Sequence, residues 1–322
     1  MHLEYVENPF SHATYQLPMT PAELSEALKR YRFYHAIDLG CGIVTPGIRE
    51  FMSLQEPVLA EIRRAELRGK RVLDVGCRDG LFSFEAERRG GSVVAIDRNP
   101  SSALNELLIP WFKSSVEVQT LNVYDLRADP EKRFDYVIFA GVLYHLRMPF
   151  EAIKRIADVM NPGGTLLIET ALMLNHHEHP FVYVPAPASS PYEPTSVTFF
   201  NHRALVDTLE CMGFENVECR AIISPHSGHP RYDSWDAFCA SSDPSHSRTE
   251  DIAIGRGTYL CRRSPDHAPE HMAELSRHWF GTSESDQTGA KLRELFGFIA
   301  GREAVTRAFA SVSGKSDPPK RS

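Results

Sequence analysis

The sequence predicts an α/β fold built on a mostly parallel β-sheet, and three observations lead to this prediction. Short apolar segments alternate along residues 71–169 with segments of helical periodicity about three turns long, which is typical of β-α-β units. The segment Phe134–Ala140 is almost wholly hydrophobic, as expected of a strand buried on both faces. Residues 72–80, VLDVGCRDG, join an apolar strand to a helix through a tight glycine turn.

The central strands and helices follow from these periodicities in chain order. We expect strands at residues 71–75, 92–96, 116–121, 134–140 and 165–169. We expect the intervening helices at residues 81–89, 101–109 and 150–160, with a turn at Asn161–Gly164. A helix over residues 202–212, with Asn201 as its N-cap, then precedes a last antiparallel pair at 217–223 and 258–262.

The segments on either side of the central region are less regular. Leu24–Tyr34 has helical spacing, and Phe33–Leu39 is a candidate short strand. We expect Pro57 in the first turn of a helix that continues over 58–68, because the first N–H groups of a helix have no partner within it. Residues 183–198, rich in Pro and Ser, predict an ordered loop or lid after the fifth strand.

Charge and composition restrict the function classes. The 322 residues include 42 acidic and 35 basic side chains, a formal net charge of −7. A nucleic-acid binder usually has a basic surplus or a basic stripe, and this chain has neither overall. The longest apolar stretch, residues 136–146, is too short to cross a bilayer, and the N-terminus lacks a basic start followed by an apolar run. The six cysteines form no C-x-x-C pair, so we expect reduced thiols and a cytoplasmic location. Because no apolar stretch is long enough to span a bilayer, we expect no membrane partner.

Two acidic residues indicate the kind of cofactor. Asp74 lies at the end of the strand 71–75, facing the crevice where open α/β sheets bind ligands. A carboxylate there suits a cationic amino group better than a phosphate, which favours S-adenosylmethionine (SAM) over a dinucleotide. Asp97 ends the next strand, about twenty residues after the glycine turn, where a carboxylate can accept hydrogen bonds from ribose hydroxyls. Together these residues predict a nucleoside-type cofactor.

Four segments in order carry a family resemblance. VLDVGCRDGLFSF, VVAIDRNP, FDYVIFAGVLYHL and MNPGGTLLIETAL resemble the motifs of class I SAM-dependent methyltransferases, over about residues 58–223. The resemblance implies a Rossmann-like α/β fold with a mostly parallel seven-stranded sheet, and SAM as cofactor. GVLYHLRMPFEAI is similar to the subgroup related to the bacterial tRNA wobble-uridine carboxymethyltransferase, which uses carboxy-SAM. FYHAIDLGCGIVTPG also looks like the preface of relatives of that enzyme.

By position, the resemblance also implies roles for individual residues. The glycine loop would hold the methionyl end of SAM through Asp74, Gly76 and Gly80, with Cys77 in the same loop. Tyr144 would lie near the transferable group. The other implied cofactor contacts follow the next three strands: Asp97 and Arg98 at the ribose, Asn122 and Val123 at the adenine, and Ala140 and Gly141 beside the transferable group.

Two departures from the family pattern bear on the cofactor. Arg78 replaces the middle glycine of the usual loop, so the loop is expected to take a different path. The Lys that binds the extra carboxylate in the carboxy-SAM enzyme has no counterpart in residues 37–47, and Arg256 matches an Arg of that enzyme only weakly. A carboxylate without its ion pair in a desolvated site is costly, so ordinary SAM is the expected cofactor.

Four residues are candidates for catalysis: Tyr144, His145, Glu169 and His177. His145 can accept a proton from a substrate hydroxyl or can be a structural histidine, and Glu169 presents the same alternatives. His177 belongs to the run His176–His179, where the spacing and the following Pro180 favour a solvated polar loop. Substrate contact or general-base work is the alternative for this run, and no metal site is expected.

The sequence therefore predicts transfer of a methyl group from SAM to an oxygen or nitrogen of a small-molecule acceptor. A tRNA wobble-uridine (carboxy)methyltransferase is the first alternative, with tRNA as the partner. A non-catalytic SAM-binding protein is the second, because Arg78 alters the glycine loop.

The predicted domain organisation has four parts. We expect an N-terminal extension or substrate cap at 1–57, the SAM-binding methyltransferase domain at 58–263, C-terminal helices at 264–310 and a disordered tail at 311–322. The helix expected at Gly289–Ala310 is a candidate for homodimer formation or for packing on its own domain.

Overall fold

The computed structural model describes residues 6–7, 14–15, 19–48, 52–186, 189–225, 229–246 and 252–265. All of them belong to the first of the two units into which the chain divides, Met1–Asp266 and His267–Ser322. The predicted C-terminal helices, the candidate dimer helix and the tail lie outside the described residues from position 266 onward. The four-part domain organisation therefore stays a prediction.

The described residues form strands and helices that are named here in chain order. The strands are β1 (Val6–Glu7), β2 (Thr14–Tyr15), β3 (Arg71–Val75), β4 (Ser92–Asp97), β5 (Glu117–Thr120), β6 (Phe134–Ala140), β7 (Met160–Met173), β8 (Val182–Tyr183), β9 (Phe199–Asn201), β10 (Phe214–Ile223), β11 (Arg231–Tyr232) and β12 (Ile254–Arg263). The helices are α1 (Pro21–Leu28), α2 (Met52–Arg64), α3 (Leu81–Arg88), α4 (Ile109–Phe112), α5 (Pro149–Val159), α6 (His202–Cys211) and α7 (Trp235–Cys239).

Ten strands form one sheet, which confirms the predicted α/β class. The order is β11-β10-β12-β7-β6-β3-β4-β5, and β9 pairs with both β7 and β8. Five neighbouring strands are parallel to one another: β7, β6, β3, β4 and β5. Strand β12 is antiparallel to both β7 and β10, and the antiparallel pairing of β12 with β10 was predicted. Seven strands have four or more residues, and the three shorter ones, β8, β9 and β11, had no sequence signal.

Helices cover the central strands through apolar faces. In α5, Ala152, Ile153, Ile156 and Ala157 are buried at helical spacing of three to four residues. Ile138 on β6, between β3 and β7, has no solvent exposure. Burial on both faces of the central strands explains why their sequences are continuous hydrophobic runs. No helix in the described ranges has the length and apolar character needed to span a bilayer.

The helix around Pro57 differs from its prediction. α2 already includes Met52 and ends at Arg64, so Pro57 lies inside the helix rather than in its first turn. A proline in this place lacks the N–H that would bond to the carbonyl four residues earlier. Val58 and Ile62 beside it are buried in the hydrophobic core, and this packing outweighs the missing hydrogen bond.

The turn predicted at Asn161–Gly164 is instead an irregular part of a longer strand. β7 begins at Met160, which pairs with Phe134, and the next pair on the ladder is Thr165 with Tyr136. Four residues of β7 therefore stand opposite the single residue Asp135, as a bulge. Gly163 adopts a left-handed φ of 76°, which lets the chain bend without leaving the sheet.

Two further segments differ from their predicted regular structure. The helix predicted at 101–109 is present as a continuous helix over 102–112, but its middle part, Leu104–Leu108, is a π-helical turn that leads into α4. Residues 33–39 form no strand beyond one bridge between Asp38 and Val44. Residues 34–48, called here the preface hairpin, fold back on themselves through a hydrogen bond from the Thr45 amide to the Ile37 carbonyl at 2.9 Å.

Candidate cofactor and acceptor site

The site lies where the strand order of the sheet changes direction. The chain runs outward from β3 through β4 to β5 and then returns to β6 on the other side of β3. The loops after these four strands meet at their carboxyl ends, which is where open α/β sheets bind ligands. The predicted cofactor residues are all on these strand ends and loops: Asp74, Gly76, Cys77, Gly80, Asp97, Arg98, Asn122, Val123, Ala140 and Gly141.

Gly76 is required by both backbone conformation and space. Its φ is +82°, and a Cβ atom built on it would lie 2.2 Å from Cγ2 of Val142. Its amide donates to the Ile96 carbonyl at 2.7 Å, which joins the loop after β3 to the end of β4. A side chain here would displace Val142, so the glycine allows Val142 to pack directly against the loop after β3.

Arg78 occupies the position of the missing middle glycine and adopts a left-handed φ of 48°. This conformation costs a non-glycine residue about 1–2 kcal/mol. The Arg78 amide donates to Oδ2 of Asp97 at 3.1 Å, and its exposed guanidinium donates to the Asn99 carbonyl at 2.9 Å. The loop thus turns as a glycine would allow, with the arginine side chain held against the loop after β4.

Asp97 ends β4 as a half-buried carboxylate. Its Oδ1 accepts from the Asn99 amide at 2.7 Å, and its Oδ2 accepts from the Arg78 amide. Each carboxylate oxygen has a second lone-pair direction, so both can still accept a hydroxyl proton. The residue fits the predicted ribose contact.

Asp74 is a buried carboxylate with 1% exposure. Burial raises its pKa to about 7, the nearby charge of Asp97 adds to this, and the hydrogen bond from Ser83 opposes it. The Ser83 hydroxyl donates to Oδ2 of Asp74 at 2.5 Å. Within the described ranges no Arg, Lys or His pairs with this carboxylate, so a cationic ligand group would stabilise its charged form.

The remaining predicted cofactor residues have diverse surroundings. Oδ1 of Asn122 accepts from the Tyr124 amide at 3.2 Å and caps a short 3₁₀ turn that includes the buried Val123. Cys77 is buried, and burial raises the pKa of its thiol. Arg98 is exposed.

Asp79 organises the site, although the sequence pattern does not predict this role. This fully buried residue accepts the backbone amides of Tyr34 and His35, at 2.5 and 2.8 Å, on Oδ2. The preface hairpin is thereby fixed to the glycine loop, and the indole of Trp111 adds a bond to the Leu39 carbonyl at 3.0 Å. No periodic signal reveals these contacts, because each joins a loop to a segment more than forty residues away.

A second group of polar residues lies beside Gly141 and is called here the arginine cluster: Tyr144, Glu169, Tyr192 and Arg256. Nε and Nη2 of Arg256 donate to the two oxygens of Glu169 at 2.5 and 2.6 Å, a bidentate pair. Nη1 donates to the hydroxyls of Tyr144 at 2.9 Å and Tyr192 at 3.1 Å. The Gly141 amide also donates to Glu169, at 3.1 Å, and so ties the cluster to the end of β6.

These contacts fix the charge states of the cluster. Burial alone would lower the pKa of Arg256, but the ion pair with Glu169 outweighs burial and raises it. Burial raises the pKa of Tyr144, so its hydroxyl stays protonated across the physiological range. Glu169 has both oxygens engaged and holds Arg256 in place. The sequence pattern predicts neither the partners of Arg256 nor a role for Tyr192, because these residues lie far apart in the chain.

His145 joins the site to residues 189–198, called here the lid segment. Its Nδ1 lies 3.1 Å from the Thr195 carbonyl, and its Nε2 lies 3.3 Å from Oε1 of Glu193. Both partners only accept hydrogen bonds, so whichever ring nitrogen carries a proton can donate it to one of them. The lid segment is also bonded at its base, where the Val197 amide donates to the Tyr144 carbonyl at 2.8 Å.

His177 lies apart from the other three catalytic candidates. Its ring packs edge-on against Trp235, at 5.8 Å between centroids, and Trp235 stacks on His202 at 4.3 Å. The His202 ring nitrogen is 2.8 Å from the hydroxyl of Tyr259, three residues after Arg256 on β12. Because side chains alternate along a strand, Arg256 and Tyr259 of β12 lie on opposite faces of the sheet. In the part of the chain with assigned structure, no group of three metal-ligating side chains occurs.

Comparison with known proteins identifies related sequences and folds. Residues 49–219, more than half of the chain, match the sequence profile of a family described as a methyltransferase domain. A tRNA U34 carboxymethyltransferase of Ectopseudomonas mendocina is 31% identical over 208 residues, 62% of this chain and 63% of that protein. A ubiquinone biosynthesis O-methyltransferase of Xanthomonas campestris is 38% identical over 109 residues, 33% of this chain and 45% of that protein.

A solved structure shares the fold. The N-terminal domain of EvdMO1, determined with S-adenosylhomocysteine (SAH) bound, superposes with a TM-score of 0.52 at 18% identity. The match covers 76% of this chain and 98% of that chain. The matches to the first three curated relatives span only 34%, 63% and 55% of the length of those proteins.

Proposed function

This chain belongs to the methyltransferase-domain family, and on that premise we propose that it transfers a methyl group from SAM to an oxygen or nitrogen of a small-molecule acceptor. The predicted Rossmann-like class I fold, the enzyme class and SAM as cofactor are confirmed at the level of the family. The acceptor and the individual site residues are the proposal.

The residues at the carboxyl edge of the sheet fit SAM. Gly76 allows the loop after β3 to turn with a φ of +82°, and Asp74 is a buried carboxylate without a cationic partner among the described residues. Asp97 would bind the ribose hydroxyls, Asp74 the amino group, and Asn122 the adenine edge. When bound, SAM supplies an electrophilic methyl group on a positively charged sulfur.

The enclosed arginine cluster is the observation that carries the proposal of a small acceptor. Tyr144 is 2% exposed and Arg256 is 8% exposed, under a lid segment that contributes Tyr192 and Glu193. Methyl transfer requires mainly that the acceptor be oriented against the methyl group and that water be excluded. Tyr144, His145 and Glu169 are the residues we propose for this role, and His177 remains a candidate only for contacts made on the other face of the sheet.

Substitution of Asp97 tests the cofactor site. Asp97→Asn should weaken SAM binding by about ten- to a hundredfold, because hydrogen bonds to a charged group contribute about 1.5–3 kcal/mol. Isothermal titration calorimetry measures the change, with Asp129→Asn at an exposed surface pair as the matched control. Unchanged affinity in the Asp97 variant would exclude this site.

A tRNA acceptor is the second candidate, favoured by the similarity to the Ectopseudomonas mendocina protein named a tRNA U34 carboxymethyltransferase. The related idea that the cofactor is carboxy-SAM has less support from the geometry. Arg256 is already neutralised by Glu169, and the preface hairpin has no lysine to pair with a further carboxylate. A carboxylate brought there would lack a cation of its own.

A further inference from the structure

Asp79 joins two parts of the site that are more than forty residues apart in the chain. It lies in the glycine loop, residues 76–80, and its Oδ2 accepts the consecutive amides of Tyr34 and His35 at 2.5 and 2.8 Å. Successive N–H groups that converge on one oxygen can form a small anion-binding concavity. The start of the preface hairpin is therefore held by a carboxylate of the loop for which we propose cofactor binding.

The burial of Asp79 makes these two amides important to it. Asp79 has no solvent exposure, and burial raises the pKa of its carboxyl group, whereas the amides of His35 and Tyr34 are the two largest opposing effects. The ring of His35 supplies no compensating cation, because its own burial lowers its pKa to about 3. A shift of the loop must therefore carry the hairpin with it or leave a buried carboxylate poorly paired, which is costly.

The side chain of Tyr34 extends this connection to the arginine cluster. Partial burial raises the pKa of its hydroxyl to about 12, while Arg256 opposes this effect and Glu169 adds to it. Two members of the cluster are thus close enough to act on the hydroxyl of Tyr34. The same residue keeps 37% of its surface exposed, so it can contact a ligand beside the cluster.

The preface hairpin is bonded firmly at its start, so these residues move as one piece. The Thr45 hydroxyl donates to the His35 carbonyl and accepts from the Ile37 amide, both at 2.7 Å. The Ile48 amide donates to the Tyr34 carbonyl at 3.1 Å. Thr45 is buried, and these bonds lie wholly within the hairpin. Substitution of Thr45 can therefore loosen the hairpin side of the connection and leave the glycine loop unchanged.

We propose that Asp79 is a positioning residue that couples the glycine loop to the preface hairpin, so that cofactor binding fixes Tyr34 beside the acceptor. This inference rests on the proposed function and adds an order to it, in which the cofactor binds before the acceptor. Asp79 acts through the two backbone amides and not by contact with the reacting groups. A ligand that fixes the loop tightens the hairpin, and by reciprocity a loosened hairpin weakens binding of that ligand.

Amide hydrogen exchange resolved by residue, in the full chain with and without saturating SAH, measures one direction of this coupling. In the wild type, SAH should slow exchange of the Tyr34, His35 and Ile48 amides about tenfold, within the usual range for coupled sites. The Ile43 amide, bonded within the tip of the hairpin, is the internal control and should change less than twofold. Asp79→Asn removes the charge and should reduce the effect of SAH on the three amides to less than twofold.

Calorimetric titration with SAH measures the other direction. Thr45→Val removes the hydroxyl that holds the hairpin, and it should weaken SAH binding about three- to tenfold by the same linkage. Thr170→Val is the matched control, because it makes the same substitution at a buried position of β7, where the hydroxyl donates to the Ala171 carbonyl at 3.3 Å. This variant should keep the wild-type affinity for SAH.

The outcomes separate the inference from the proposed function. A wild type that binds SAH without slower exchange of the Tyr34, His35 and Ile48 amides would overturn the inference and leave the proposed function standing. Faster hairpin exchange in Thr45→Val together with wild-type affinity for SAH would also overturn it. These two measurements decide the matter even if Asp79→Asn does not fold. A wild type that fails to bind SAH would overturn the proposed function and the inference together.

Discussion

Ligand binding at the site should depend on pH through Asp74, because this buried carboxyl group must be ionised to pair with a cationic group of the ligand. Burial raises its pKa to about 7, well above the ordinary value for an aspartate. Between its unfolded and folded pKa values the native state holds a proton that the unfolded state has lost. The contribution of Asp74 to the free energy of unfolding therefore falls as the pH rises from about 4 to 7 and stays constant above pH 7.

Ligand affinity should show the opposite trend. SAH has a cationic amino group, which binds the carboxylate form of Asp74, so its affinity should rise up to tenfold per pH unit toward pH 7 and then level off. Calorimetry from pH 5.5 to 8.5 measures this. Asp74→Asn should bind more weakly at pH 8 and lose this dependence; a variant that keeps the wild-type pH profile would show that another group titrates.

Gly76 gives a steric prediction at the same loop. Gly76→Ala forces a Cβ to within 2.2 Å of Cγ2 of Val142 and puts alanine at a φ of +82°. Overpacking and left-handed strain together should lower the free energy of unfolding by about 2–4 kcal/mol. Urea denaturation measures the loss, and adding Val142→Ala should reveal a favourable coupling of at least about 1 kcal/mol. Additive effects of the two substitutions would contradict the predicted clash.

The lid segment is the element whose position depends most on polar contacts. Glu193 accepts from the Ser196 hydroxyl at 3.0 Å and faces His145, while Tyr192 contacts Arg256. These two contacts of Glu193, called here the latch, are part-exposed hydrogen bonds that contribute about 0.5–1.5 kcal/mol each, so the latch is weak enough to open for an acceptor. The lid segment is thus suited to a closing role that the buried ion pair of Glu169 and Arg256 could not perform.

Glu193→Gln tests this latch, because glutamine keeps an oxygen for Ser196 but loses the charge. Amide hydrogen exchange in residues 189–198 should become about two- to fivefold faster, as expected for the loss of a pair of that strength. Glu56→Gln, at the exposed pair with Arg63, serves as the control and should leave the lid segment unchanged. Equal exchange in both variants would show that the lid is held by its base alone.

The sequence predicts those elements whose environment is periodic, and it fails where distant segments meet. β6 was predicted to the residue because burial on both faces leaves an uninterrupted hydrophobic run. The residues Asn161–Gly164 predict a turn but form a bulge, since glycine and proline are common in both structures. Contacts such as that of Tyr192 with Arg256, 64 residues apart, depend on loop placement and have no local signature.

At the scale of the whole molecule, the sheet separates two groups of polar and aromatic side chains. The cofactor residues, the arginine cluster and the lid segment gather at the carboxyl ends of the parallel strands, on one side of β12. His177, His202 and Tyr259 form the other group, on the opposite face. The sequence leaves His145 open between a functional and a structural role and favours a solvated loop for the run that contains His177. The alternation of side chains along β12 then places the contacts of His177 on the face opposite to Arg256.

The overall charge then bears on which acceptor the protein uses. A chain with a net charge of −7 has little electrostatic attraction for tRNA unless local basic residues contact several phosphates. If six or more phosphates were contacted, the affinity would fall about a thousandfold or more between 50 and 200 mM salt. We expect unmodified tRNA to show only weak binding in fluorescence anisotropy at 50 mM salt, without such a slope, in the presence of saturating SAH. Tight binding with a steep slope would favour the tRNA acceptor over a small-molecule acceptor, since only contacts with several phosphates produce so strong a dependence on salt.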